Sequence, residues 1–77
     1  MVKVGETYSV RLHTSFLDIE CGNYWIATEM TVLEIFGTLC SVCFKNVCGM
    51  EDYEATFSTF MVESFIQAYI DKYGEMI

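Results

Sequence analysis

The spacing of apolar residues changes period between the two ends of this chain, and that change constrains the fold more than any other feature. From Thr7 to Phe16 the pattern alternates, with Tyr8, Val10, Leu12 and Phe16 apolar and Thr7, Ser9, Arg11, His13 and Ser15 polar. That is the period of a half-buried strand. Towards the C-terminus, Val62, Phe65, Ile66, Tyr69, Ile70 and Tyr73 fall at i, i+3, i+4, i+7, i+8 and i+11, while Glu63, Ser64, Gln67, Asp71 and Lys72 cover the other side. This is an amphipathic helix. Ser58 or Thr59 suits its N-cap, and Gly74 stands at its C-cap.

Between these elements the spacing predicts more strand. Alternation slips by one residue near Ser15 to Leu17, so a bulge or bend is expected there. Gly22-Asn23 suits a two-residue hairpin, after which a second strand starts at about Tyr24. Its even positions, Tyr24, Ile26, Met30, Val32 and Phe36, make a nearly continuous apolar face. Gly37-Thr38 suits a second hairpin leading into Leu39 to Lys45. Asn46 to Asp52 reads as a loop before a short strand from Tyr53 to Phe57. Thr28 to Phe36 also fits a helix, with Thr31 and Glu34 as a capping box, but β-branched and aromatic enrichment favours a strand. The expectation is one α+β domain spanning 1–77. An antiparallel meander of about four bent strands, curled towards a small half-open barrel, would carry the C-terminal amphipathic helix.

A chain of 77 residues folds to roughly 4,800 Å² of surface and buries only about 63% of what it exposes unfolded. With 53% of residues hydrophobic and 16% aromatic, apolar surface is left over, so a homodimer or higher homo-oligomer, or a protein partner, is expected. The net charge of −7 repels phosphate backbones and anionic lipid, which argues against direct nucleic-acid binding and against a membrane-surface role. There is no apolar h-region of a secretory signal and no unbroken apolar run of about 18 residues. The expectation is a soluble, cytoplasmic, complete small protein with its thiols reduced.

Three of the four cysteines stand together in Cys40-Ser-Val-Cys43-Phe-Lys-Asn-Val-Cys48. With Cys21 or His13 they match the ligand count of a structural zinc site. Ser41 and Val42 are poor turn formers, however, and on a strand Cys40 and Cys43 point to opposite faces. The preferred reading places Cys40 with Val42 and Phe44 in a core, poorly reactive, and Cys48 in a loop as a more accessible thiol. No cofactor is implied, and a zinc-stabilised domain stays as an alternative.

No catalytic pattern is visible. The single histidine, His13, lies on the polar face of the first strand, the glycines are isolated, and nothing resembles a nucleophile elbow. What the chain offers instead is binding surface. Glu51, Asp52 and Glu54 flank Tyr53 in the densest acidic cluster, and Asp18 and Glu20 precede the first turn. Together they could form one acidic patch that imitates nucleic-acid phosphates and plugs a basic groove. Trp25, with Ala27, Leu33 and Ile35, would make a second apolar face, anchored by an aromatic side chain typical of interfaces.

In length, acidity and lack of catalytic motifs the chain resembles small acidic phage-encoded proteins that disable host machinery, the anti-CRISPR and other anti-defence inhibitors. The resemblance implies a viral, non-enzymatic inhibitor that occupies a site on its target. The alternative expectation is a homo-oligomeric binder of a small molecule such as a signal nucleotide, held at an interface lined by Tyr, Trp and Phe.

Overall fold

The computed structural model describes residues 2–17 and 22–74. Four antiparallel strands, β1 (Thr7–His13), β2 (Trp25–Phe36), β3 (Leu39–Val47) and β4 (Met50–Ser58), lie in one sheet in sequence order, and helix α1 (Thr59–Tyr73) follows. The meander is not closed into a barrel, because β1 and β4 are the two edges of the sheet. α1 packs chiefly along β1 and also touches β3 and β4, so it covers one face of the sheet.

That face holds the core. Val10 and Leu12 of β1, Met30 and Val32 of β2, and Cys40, Val42 and Phe44 of β3 are buried beneath Val62 and Phe65 of α1. Phe44 sits at the centre, with its ring near those of Tyr53, Phe57 and Phe65. The helix begins where expected: Ser58 accepts a hydrogen bond from Met61 N–H at 3.2 Å, satisfying one orphan donor of the first turn. It ends at Gly74, whose N–H donates to the Ile70 carbonyl.

Two connections differ from expectation, each for a local reason. β1 stops at His13, and the bend expected near Ser15 is a 3-10 turn, Thr14–Phe16. Pairing resumes at His13 with Trp25, so Gly22-Asn23 does not form a two-residue hairpin. Buried Thr14 pins this connection: its hydroxyl donates to the Gly22 carbonyl at 2.7 Å and accepts from Tyr24 N–H at 3.2 Å. The supposed loop from Asn46 to Asp52 is instead a tight hairpin. Val47 pairs with Met50, and Cys48 (φ 50) and Gly49 (φ 81) occupy the two left-handed central positions of a type I′ turn. The hairpin at Gly37-Thr38 forms as expected, with Gly37 (φ 63) at the first central position and Phe36 paired to Leu39.

The segment 28–36 is strand, and β2 carries the irregularity that shapes the sheet. Its register against β3 shifts between Val32 and Glu34. Beyond the shift Ile35 pairs with Cys40, whose side chain is in the core, so Ile35 also turns towards α1. Phe36 and Leu39 pair on the opposite face, where both are exposed. The expected apolar faces of β2 therefore exchange members at the bulge. Before Met30 no ladder joins β2 to β3, and the gap is bridged by the Thr28 hydroxyl, which donates to the Lys45 carbonyl.

Phe44→Ala is expected to destabilise by about 3–5 kcal/mol, a large share of the roughly 4–12 kcal/mol available to a chain of this length. Ser58→Ala removes only the cap, about 1 kcal/mol. Thermal melts followed by circular dichroism check both, and the ordering fails if Ser58→Ala proves the more damaging of the two.

Candidate functional site

β4 presents the acidic cluster on a strand. Glu51, Asp52 and Glu54 are exposed, while Tyr53 between them turns to the core side and stacks on Phe44 with ring centroids 6.5 Å apart. Alternation therefore puts Asp52 and Glu54 on the face of the sheet away from α1, and Glu51 on the other. Asp52 lies opposite Lys45, and Glu54 opposite Cys43. β4 is an edge strand, so its ladder runs on the β3 side alone. Charged side chains on an edge blunt pairing with further strands. Asp18 and Glu20, the other half of the expected acidic patch, lie outside the described residues, as does Cys21.

Trp25 is 53% exposed on the open face of β2. Directly across the strand pair, His13 meets its ring edge-on at 5.3 Å, and the diagonal neighbour Arg11 lays its guanidinium 4.3 Å from the ring centroid. The tryptophan is thus half of a cation–π pair. His13 Nδ1 accepts from Ser15 N–H at 3.1 Å, which assigns the ring proton of neutral His13 to Nε2. The second apolar face expected around Trp25 does not form as a unit. Ile35 has passed to the helix side, and between Trp25 and Leu33 the strand carries the polar side chains of Glu29 and Thr31. Trp25 and the β4 carboxylates share the open face but are separated by β3.

The cysteines divide by strand geometry. Cys40 is buried and free, and burial pushes its thiol pKa up. Its contribution to stability is therefore full below the ordinary thiol range and lost as pH rises through the raised value. Cys43, on the opposite face, is also free, and its thiol contacts the Asp52 carboxylate at 3.8 Å. Its pKa is raised first by partial burial and then by the charges of Asp52 and Glu54. Cys48 corrects the expectation of a reduced loop thiol, because it is disulfide-bonded. Its sulfur also lies 3.6 Å from the Tyr24 hydroxyl. Among the described residues no group of three or more His, Cys, Asp or Glu side chains is placed to hold a metal. A shallow open cleft of about 470 Å³ lies where β2 and β3 part, lined by Ser9, Glu29, Lys45 and Tyr69 among others.

The comparisons add no relative. No family model matches the chain, and neither a curated protein nor a solved structure is significantly similar to it. No helix among the described residues is long and apolar enough to cross a membrane.

Two features of this surface escape a reading of spacing alone. The Arg11–Trp25 contact and the Cys43–Asp52 contact are diagonal cross-strand neighbours, visible only once register is known.

Alkylation followed by mass spectrometry tests the cysteine assignments. Cys43 should react slowly at neutral pH, Cys48 only after reductant, and Cys40 only on unfolding. Asp52→Asn should accelerate Cys43 severalfold, since losing the nearby charge lowers the thiol pKa. An unchanged rate would show that Asp52 does not govern it. Reducing the Cys48 bond should lower stability by about 2–5 kcal/mol, seen as a lower melting temperature in reductant.

Proposed function

We propose that this chain is a non-enzymatic protein-binding module that inhibits or sequesters a nucleic-acid-handling protein of a host or its defence machinery, by laying the acidic edge strand β4 into a basic site. The observation that carries the reading is the placement of Glu51, Asp52 and Glu54 on a hydrogen-bonded edge strand rather than in a loop. A strand holds the backbone of its carboxylates at fixed spacing, so little backbone freedom is lost on docking. Tyr53, anchored on Phe44, fixes the strand from behind.

Electrostatics favour the same kind of partner. A net charge of −7 disfavours nucleic acid itself but steers the chain towards a basic groove that normally holds phosphates. The resemblance to small acidic anti-defence inhibitors agrees with such a role, carried out in the host cytoplasm. That compartment would expose the Cys48 bond to reducing thiols, so β4 must keep its place once the bond is open.

The experiment is capture of a partner by the tagged protein, followed by competition. Binding should fall steeply with ionic strength, be displaced by the partner's own nucleic acid, and weaken at least tenfold in the Asp52→Lys, Glu54→Lys double variant. Affinity that ignores both salt and these two charges would remove the proposal.

A further inference from the structure

Away from the acidic cluster, the end of the sheet formed by the β2–β3 hairpin is apolar and uncovered. Leu33, Ile35, Phe36 and Leu39 are each 36–45% exposed. Two neighbours extend the patch. Val4 precedes Gly5, whose N–H donates to the Val32 carbonyl, and Phe60 follows Thr59, whose N–H donates to the Thr38 carbonyl. Val4 is 58% and Phe60 71% exposed. These six residues expose on the order of 600 Å² per copy, shared between the helix side (Ile35, Phe60) and the open side (Phe36, Leu39) of the sheet end, against roughly 800 Å² per partner in a standard interface. Adding the backbone and polar rim brings it within reach of a stable dimer.

The backbone points the same way. β1 pairs with β2 only as far as Thr31, and Val32 is then held by Gly5 and Glu6. From Glu34 to Phe36, among the described residues, the ladder of β2 runs on the β3 side alone, and Leu33 stands unpaired in the register shift. An apolar strand segment with a bare edge invites another strand. Two identical segments can meet antiparallel about a two-fold axis, which makes this edge complementary to itself.

Charge selects among occupants. Glu51, Asp52 and Glu54 begin β4, whereas the apolar end is where β4 finishes at Ser58, opposite Leu39. Joining two copies through the apolar end keeps those carboxylates outermost. A basic partner would be drawn to the other end instead. Glu34 is the one charge on the strand segment itself, and an axis through Ile35 sets it against Phe36 rather than against its own copy, while Glu63 of α1 lines the pocket beside Ile35 and belongs to the polar rim.

We propose that the hairpin end of the sheet, centred on Leu33, Phe36 and Phe60, is the seat of a second copy of this chain in a two-fold homodimer. The interface is separate from the acidic strand and stands or falls without it. Light scattering coupled to gel filtration should give twice the chain mass of 8.9 kDa. Phe36→Glu should raise the dimer dissociation constant at least tenfold, with an unchanged circular dichroism spectrum. Should Phe36→Glu perturb the fold, Phe60→Glu, on the solvent side of α1, must shift the dimer to monomer by itself. Asp52→Lys should leave the dimer intact. A monomer at all concentrations, or a dimer indifferent to both glutamates, overturns the proposal, including the case where the patch serves a different protein.

Discussion

Burial of Phe44 between the sheet and α1 is the contact on which the rest of the structure depends. It is the largest fully buried side chain, and it gathers Tyr53 and Phe57 from β4 and Phe65 from α1 around one ring. In a domain this small, each such contact is a large share of a net stability of a few kcal/mol. The central aromatic therefore holds β3, β4 and the helix in one relation. The position of the acidic strand follows, because Tyr53 cannot stack on Phe44 without presenting Asp52 and Glu54 to the open face.

The helix satisfies only one face of the sheet, and its contacts concentrate on β1. What remains outside is sorted by chemistry. The open face carries hydroxyls and charges, with Thr7 and Thr31 hydrogen-bonded across β1 and β2 and Ser41 and Thr56 across β3 and β4. One group of apolar residues that the core does not take stands at the β2–β3 hairpin end, and Glu51, Asp52 and Glu54 stand at the start of β4. Two surfaces of different chemistry thus lie towards opposite ends of β4.

Much of this was legible in the sequence. The two-residue period placed β1 and most of β2, the helical period placed α1 and its caps, and Gly37 placed the second hairpin. Strand geometry alone separated Cys40 from Cys43. The misreadings have a common origin in turns. Cys48-Gly49 forms a type I′ hairpin although cysteine rarely adopts a left-handed conformation, so the stretch read as a loop. Thr14 closes the β1–β2 connection by tertiary hydrogen bonds that no local pattern announces. Glu54 already fell in the expected strand, but placing Glu51 and Asp52 on it depended on that unrecognised turn.

By itself the sequence determined the class of fold, the helix, the central core residues and the sign of the charge, because these follow from periodicity and composition within single elements. Only the tertiary structure decided which residues face outward together. A one-residue bulge after Val32 moved Ile35 to the helix side and Phe36 to the open side, a pairing event between β2 and β3 with no signature in either strand alone. The covalent state of Cys48 likewise had no signature in its own strand and turn.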